Sequence, residues 1–197
     1  MSIQKDKIET KFNKKGYAST YGELTRKGLN DLLKSVNTNN KIFYDLGSGK
    51  GNVILYAVKD FPKLKKCKGI EFHDERHQEA LQLLENNSKY ADKVEFIHGD
   101  ILKNSLKDGD IFYISNLCFN DKTNQSLYNK LNKELKKNSI VFCSRPLTHK
   151  LKSTPKTTVK QTWWNDSDIY QYIKKNNKLI PHHNNIKKTK KNNKNII

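Results

Sequence analysis

An apolar run that ends in an acid and opens into closely spaced glycines constrains this chain more than any other feature. The run Ile42-Phe43-Tyr44-Asp45-Leu46 predicts a buried strand, and Gly47, Gly49 and Gly51 follow it at every second position. Glycines at this spacing let a backbone turn sharply and pass close to a bound molecule. Because Asn52 and a further apolar run come next, the segment predicts a strand, a tight loop and a helix.

Two more acids follow apolar stretches further along the chain. Glu71 comes directly after Gly69 and Ile70, and Asp100 comes directly after Gly99. Carboxyl ends of neighbouring parallel strands meet at one edge of a sheet, so these acids and the glycine loop favour a nucleotide-like ligand whose ribose hydroxyls face Glu71. The alternatives are an ordinary strand-to-helix turn, a structural carboxylate at Glu71 and a plain turn acid at Asp100.

The spacing of the glycines indicates which ligand fits. The pattern is acid-x-G-x-G-x-G rather than the G-x-G-x-x-G of dinucleotide sites, and it suits a ligand with a cationic centre and no phosphates. It resembles motif I of the S-adenosylmethionine-dependent methyltransferases. In that interpretation Asp45 and the backbone of 47–51 bracket the methionine part of S-adenosylmethionine, Asp100 accepts a hydrogen bond from the adenine amino group, and Ile101 forms an apolar wall.

Strands and helices are predicted to alternate along the rest of the chain. A short helix with Leu24, Leu29, Leu32 and Leu33 comes first, and a hairpin of 157–164 and 168–175 comes last. This order predicts an α/β, Rossmann-like, seven-stranded class I methyltransferase fold, with a mostly parallel sheet and a terminal antiparallel hairpin. The predicted strands are 41–46, 67–72, 93–98, 110–116 and 138–144, and the predicted helices are 50–60, 74–90 and 123–137.

The charge is strongly positive and uneven. The formal net charge is +18, and residues 174–197 contain eight lysines and no acid. We expect a basic N-terminal arm over 1–20, a folded domain over 21–175 and a disordered lysine-rich tail over 176–197. Nucleic acid, or a protein bound to it, is the natural partner. The alternative is a solubilising tail enlarged by a coding bias toward Lys, Asn and Ile.

Apolar runs and cysteines bear on two other classes of partner. No apolar run approaches the length that crosses a bilayer, so no membrane partner is expected. Cys67, Cys118 and Cys143 have no CxxC spacing, so we expect a reducing compartment and no metal site.

Several motifs occur together in the order of one known family. Tyr21-Gly22-Glu23 precedes the glycine loop, and Asn116-Leu117-Cys118-Phe119 follows the fourth predicted strand. With Cys143-Ser144-Arg145-Pro146-Leu147 and the aromatic pairs of the closing hairpin, the chain resembles the disruptor-of-telomeric-silencing family over roughly residues 17–175. These are Dot-type histone-lysine N-methyltransferases without a SET domain. Few residues precede Tyr21, so the resemblance is to a compact form with little of the family's N-terminal helical region.

The resemblance implies roles for individual residues. Tyr21 and Glu23 would belong to a loop that closes over the cofactor, and Asn116 would border the methyl-transfer channel and orient cofactor and substrate. The resemblance does not choose between the two tyrosines of the hairpin. The walls of a narrow lysine channel would be Phe119, Trp163 and either Tyr170 or Tyr172.

The resemblance also implies a partner and a compartment. The substrate would be a nucleosomal core histone, the basic surfaces and tail would dock on its DNA, and the protein would act in the nucleus or in a viral replication compartment. Two alternatives stay open: an RNA or DNA methyltransferase, and a non-catalytic chromatin-binding protein on the same scaffold. Adenine-N6 enzymes are disfavoured because no prolines follow Asn116.

Overall fold

The chain alternates between strands and helices and closes with three antiparallel strands. The computed structural model describes residues 23–148, the backbone of 156–159, and residues 167–182. The helices are α1 (Arg26–Leu33), α2 (Asn52–Asp60), α3 (Asp74–Glu85) and α4 (Asp121–Glu134), with a 3-10 turn at Ser88–Tyr90. The strands are β1 (Ile42–Leu46), β2 (Lys66–Glu71), β3 (Val94–His98), β4 (Ile111–Ile114), β5 (Ile140–Cys143), β6 (Lys156–Val159), β7 (Ser167–Lys175) and β8 (Lys178–Pro181).

Side chains at the first turns explain where the helices begin. The hydroxyl oxygen of Thr25 accepts a hydrogen bond from the Gly28 amide at 3.1 Å, and Asn120 caps α4 by accepting from the Thr123 amide at 2.8 Å. Asp74 and Glu75 lie in the first turn of α3, where negative charge is favoured by the helix dipole.

The order of the strands places a crevice at the centre of the sheet. The sheet runs β3-β2-β1-β4-β5-β7-β6, and the first five of these strands are parallel. The chain builds outward from β1 to β3 and then returns to the other side of β1 with β4. After β1 the chain proceeds to β2 on one side, and after β4 it proceeds to β5 on the other side. The carboxyl ends of β1 and β4 therefore form a topological switch point, where ligands of α/β proteins bind.

The far flank of the sheet differs from the sequence prediction. We expect seven strands, and the described residues form eight. One edge of β7 pairs with β5, while β6 pairs with residues 167–170 and β8 with 172–175 on the other edge. Two short strands therefore share the seventh position, and the overall plan is the predicted one.

The described part of the tail is also different. Lys178–Pro181 form β8 rather than the beginning of a disordered tail. Leu179 is buried against the core, and its amide donates to Asn132 Oδ1 at 2.6 Å. The ordered sheet thus extends past residue 175, the boundary predicted from charge.

Two apolar clusters cover the two faces of the sheet. One contains the buried leucines of α1, the apolar face of α2, and Phe43, Tyr113 and Phe142 from the strands. The other contains Leu127 and Leu131 of α4 with alternate residues of the same strands. Within the described ranges, no helix is long and apolar enough to cross a membrane.

Most predicted elements lie within a few residues of their observed bounds. The main exception is the helix predicted over 74–90, which ends at Glu85 and continues as a separate 3-10 turn. Tyr21, Trp163, the arm over 1–20 and residues 183–197 lie outside the described residues.

Candidate active site

The glycine loop leaves β1 at the switch point and is tied to the neighbouring strand. The amides of Gly47 and Ser48 both donate to the carbonyl of Ile70, at 2.8 and 3.0 Å. Gly47, Gly49 and Gly51 all have positive φ, which favours glycine. The predicted loop is therefore formed, and its backbone conformation accounts for the glycine spacing.

Two of these glycines differ in what surrounds them. A β-carbon at Gly51 would lie 2.5 Å from Cζ of Phe96, so packing excludes a side chain there. A β-carbon at Gly47 would meet no atom within 4 Å. Gly47 therefore faces open space, as a residue that lines a ligand site does.

Glu71 holds the loop from the next strand. It is 5% exposed, and its Oε2 accepts from the Gly49 amide at 2.8 Å while Oε1 accepts from the His73 amide at 2.7 Å. Each carboxylate oxygen has two lone pairs, so one on each oxygen is still available for a further donor. Glu71 is thus both a structural anchor of the loop and a suitable acceptor for two vicinal hydroxyls.

Three carboxylates meet beside this loop. Asp45 is 3% exposed, and its Oδ1 has no hydrogen-bond partner among the residues that the structure describes. Burial raises the pKa of Asp45 well above its usual value, and the nearby carboxylates of Glu23 and Glu71 raise it further. Glu23 in turn accepts from Nδ2 of Asn52 at 3.0 Å. Among the described residues, Asp45 Oδ1 is thus a buried acceptor to which no donor or cation is bonded.

This chemistry fits S-adenosylmethionine. The cofactor carries a sulfonium and an ammonium group, and a cation of this kind can pair with the buried Asp45 oxygen. It also carries two ribose hydroxyls, which can donate to the remaining lone pairs of Glu71. The open space beside Gly47 is on the same loop.

The segment after β3 lies at the same edge. The Gly99 amide donates to the carbonyl of Glu71 at 2.9 Å, which places Asp100 close to Glu71 along the sheet edge. Asp100 Oδ1 accepts from the Leu102 amide at 2.9 Å, so that oxygen forms a turn. Ile101 is 5% exposed and belongs to the apolar cluster on the α4 side. Both predicted functions of Asp100, in a turn and at the site edge, are compatible with this geometry.

Asn116 is fully buried at the end of β4. Its Nδ2 donates to Asn124 Oδ1 at 2.8 Å and to the carbonyl of Arg145 at 3.0 Å, while its Oδ1 accepts from the Arg145 amide at 3.0 Å. Both amide hydrogens are therefore used within the protein. The Asn116 side chain therefore bonds the backbone of Arg145 just beyond the point where the hydrogen-bonded pairing of β4 with β5 ends.

The aromatic residues predicted to line a channel separate into two groups. Phe119 is partly buried against the α4-side cluster, and Tyr170 lies in the same cluster opposite Cys143, at the carboxyl edge. Tyr172 pairs with Val141, further from that edge, and its side chain is fully enclosed. Of the two tyrosines, Tyr170 is the one placed near the site.

Three residues at this edge were missed by sequence reasoning. His73 supplies an amide to Glu71, and Asn124 and Arg145 hold Asn116. Arg145 lies in a stretch that resembles the family, which is a signal. Asn124 lies in a polar helical turn that carries none. No group of three or more metal-ligating side chains occurs in the part of the chain that the structure describes.

The strand order, the glycine loop at the switch point and the acids around it define the class I methyltransferase fold. The chain belongs to the DOT1 family: a family model described as histone methylation protein DOT1 matches residues 2–194. The resemblance drawn from its motifs is thereby confirmed.

Two curated relatives share part of the sequence. A protein-lysine N-methyltransferase of Saccharolobus islandicus is 36% identical over 98 residues, which are 48% of this chain and 56% of that protein. A histone-lysine N-methyltransferase of Candida albicans, specific for H3 lysine-79, is 29% identical over 128 residues, which are 56% of this chain and 10% of that protein. The chain thus matches about half of the archaeal relative and a small part of the fungal one.

Solved structures share the fold. An RNA methyltransferase from Salinibacter ruber, in complex with S-adenosyl-L-homocysteine, superposes with a TM-score of 0.59 at 20% identity and covers 79% of this chain and 92% of that one. The YcgJ protein from Bacillus subtilis superposes with a TM-score of 0.51 at 17% identity and covers 60% of this chain and 50% of that one. The predicted fold is confirmed, and the ligand of the first structure agrees with the predicted cofactor.

Proposed function

We propose that this protein is an S-adenosylmethionine-dependent protein-lysine N-methyltransferase. The observation that carries the proposal is the buried Asp45 with an unpartnered oxygen, beside Glu23 and Glu71 at the glycine loop. Like charges brought together in a protein interior are costly unless a cation or donor joins them. A cationic, donor-rich cofactor satisfies the cluster.

Each residue of the site then has a role. S-adenosylmethionine, when bound, would supply a methyl group activated by its sulfonium. Glu71 accepts from the ribose hydroxyls, Asp45 and the backbone of the glycine loop face the methionine part, and Asp100 with Ile101 borders the adenine. The family resemblance assigns closure over the cofactor to Tyr21 and Glu23. Catalysis by such a site consists mainly of positioning and of the exclusion of water.

The proposed acceptor is a lysine side chain. Phe119 and Tyr170 lie in one apolar cluster at the carboxyl edge. The family resemblance assigns a third wall of the channel to Trp163, which lies outside the described residues. Aromatic walls accommodate the aliphatic stem and disfavour the ammonium form, so they lower the pKa of the incoming amine. A neutral amine is the nucleophile that the reaction needs. We assign Tyr172 to the hydrophobic core rather than to the channel because its side chain is fully buried.

The proposed substrate protein is a nucleosomal core histone. Membership of the DOT1 family and the name of the fungal relative support it. Exposed lysines also collect at the amino edge of the strands, with Lys63 and Lys65 before β2, Lys137 before β5 and Lys178 at the start of β8. Phosphate contacts there and from residues 183–197 would dock DNA without obstructing the channel, which opens at the opposite edge. The protein would then act in the nucleus or in a viral replication compartment.

Methyl transfer to reconstituted nucleosomes tests the proposal. Incubation with S-adenosylmethionine followed by mass spectrometry of the histones should reveal methyl-lysine. Transfer to naked RNA or DNA instead would identify a nucleic-acid methyltransferase. Cofactor binding with no transfer to any of these substrates would identify a non-catalytic binding protein.

A matched pair of variants ties the activity to the site. Gly47→Arg places a long side chain in the open space at the loop, whereas Gly47→Ala imposes the same strain at φ +97° without filling that space. We expect Gly47→Arg to lose cofactor binding and turnover, and Gly47→Ala to retain most of both. Equal activity in the two variants would place the ligand elsewhere.

A further inference from the structure

The segment 116–119 leaves the sheet between β4 and α4. Polar contacts hold its two ends, and Phe119 also packs against the α4-side cluster. Its middle carries Leu117, which is 44% exposed and is one of two large apolar side chains exposed within the described residues. Phe119, at the other end, is the proposed channel wall. The position of this segment therefore decides the shape of the channel mouth.

Arg145 contacts both ends of the segment. Its backbone exchanges two hydrogen bonds with the side chain of Asn116, at 3.0 Å each. Its Nη1 donates to the carbonyl of Phe119 at 3.0 Å, and its Nη2 forms an ion pair with Asp121 at the start of α4. Arg145, which follows β5, thus connects the end of β4 to the first turn of α4.

Asn124 makes a second connection across the same segment. Its Oδ1 accepts from Asn116 at 2.8 Å and its Nδ2 donates to the carbonyl of Phe119 at 3.4 Å. Asn124 is 2% exposed, so these contacts lie away from water, where an unpaired amide is costly.

The space behind these contacts is not filled. A cavity of about 110 Å³ lies between the first turn of α4 and the segment after β5. Its lining residues are Asp121, Asn124, Gln125, Arg145, Pro146, Leu147 and Thr148. Because side-chain packing is incomplete on this side, the hydrogen bonds of Arg145 and Asn124 to the Phe119 carbonyl contribute to the position of Phe119, together with its packing against the α4-side cluster.

We propose that Arg145 and Asn124 are positioning residues that hold Phe119 in place and so set the width of the lysine channel. The inference rests on the proposed function, since it concerns the channel of that activity. Neither residue touches the cofactor loop, which lies on the other side of β4. Loss of the Arg145 guanidinium should therefore change the handling of the acceptor amine and leave cofactor binding intact. Loss of Asn124 also removes a partner of Asn116, the residue expected to orient cofactor and substrate.

The test uses variants of Arg145 and Asn124 with a neighbour as control. Arg145→Met removes both guanidinium contacts, Arg145→Lys keeps the charge and one donor, and Asn124→Ala removes the second connection. Gln125→Ala is the control, because Gln125 lines the same cavity but bonds only along its own helix, to Asn129.

We expect Arg145→Met and Asn124→Ala to lower kcat/KM for the nucleosome roughly ten- to a hundredfold, the scale set by losing a hydrogen bond to a charged or buried group. The kcat/KM of Arg145→Lys should lie between those of the wild type and Arg145→Met. The ratio of mono-, di- and trimethyl-lysine in the product should shift in the variants with lowered kcat/KM. In Arg145→Met, affinity for S-adenosyl-L-homocysteine should stay within about twofold of the wild type. A parallel loss of that affinity, or wild-type turnover and product ratio in Arg145→Met, would overturn the inference.

A second measurement separates this inference from the proposed function. Amide hydrogen exchange over 117–120 should accelerate about tenfold or more in Arg145→Met, while exchange in β1 stays unchanged. If the wild type methylates nothing, the proposed function fails while this measurement still reports the contact. Unchanged exchange over 117–120 would show that Arg145 does not hold the segment.

Discussion

Glu71→Gln is the substitution that most sharply tests how the site is built. It keeps the shape of the side chain and changes one oxygen to an amino group. Both oxygens of Glu71 already accept backbone amides, from Gly49 at 2.8 Å and from His73 at 2.7 Å. Whichever way the glutamine is turned, its NH2 faces an N–H that has nothing to bond to.

The magnitude follows from that geometry. A hydrogen bond to a charged group contributes about 1.5–3 kcal/mol, and the variant loses one such bond before any ligand is present. For a chain of this size, about 2–4 °C of Tm correspond to each kcal/mol, so the ligand-free variant should melt roughly 3–12 °C lower. Loss of one ribose contact of similar strength should weaken cofactor binding about ten- to a hundredfold.

Thermal unfolding followed by circular dichroism and calorimetric titration with S-adenosyl-L-homocysteine measure the two effects. Glu79→Gln is the control, because Glu79 is a partly exposed residue of α3 that pairs with Lys50 at 2.7 Å. The Glu79→Gln variant should have nearly the wild-type Tm and Kd, since exposed ion pairs contribute little to stability. An unchanged Tm and an unchanged Kd in Glu71→Gln would refute the dual role of this carboxylate.

Three further predictions concern neighbouring features. The raised pKa of Asp45 should fall when a cation binds, so cofactor affinity should drop as the pH is lowered through that pKa. Calorimetric titrations in buffers of different ionisation enthalpy should show that cofactor binding releases a proton, and Asp45→Asn should abolish this release. Equal proton release in the wild type and in Asp45→Asn would contradict the assignment. Gly51→Ala should lower stability by about 2–4 kcal/mol, through strain at φ +85° and the contact with Phe96, and a denaturation midpoint equal to that of Gly47→Ala would argue against it. Removing 183–197 takes away five lysines and should reduce the salt slope of nucleosome binding by up to about 4.5, with no change in Tm. Removal from 176 should in addition lower the Tm because it deletes the buried Leu179, and identical slopes with and without 183–197 would show that these lysines do not contact phosphate.

The sequence predicts the centre of the fold well because the signals there are local. Each glycine of the loop adopts a positive φ, and each buried strand has its own apolar run. β8 was missed because Lys178-Leu179-Ile180-Pro181 lies within a lysine-rich stretch whose charge predicts disorder. Its order comes from pairing with β7 and from Asn132, which no local pattern reveals.

The same distinction applies to the site. Asp45 and Glu71 follow apolar runs and could be predicted, whereas their electrostatic coupling depends on how β1 and β2 pair. Asn116 could be identified from its motif. Its partners Asn124 and Arg145 lie 8 and 29 positions further on and meet it only because α4 and β5 pack at that edge. Sequence reasoning could not reveal that both hydrogens of the amide are engaged.

The three carboxylates beside the glycine loop also affect how long the protein survives in a cell. Burial and the neighbouring carboxylates raise the pKa of Asp45, so its ionised form is less favourable in the ligand-free folded protein than in the unfolded chain. A ligand that binds only the native state adds stability in proportion to the logarithm of its concentration. Molecules that have lost their cofactor should therefore unfold and meet proteases more often, and the amount of folded protein should rise with the supply of methyl donor.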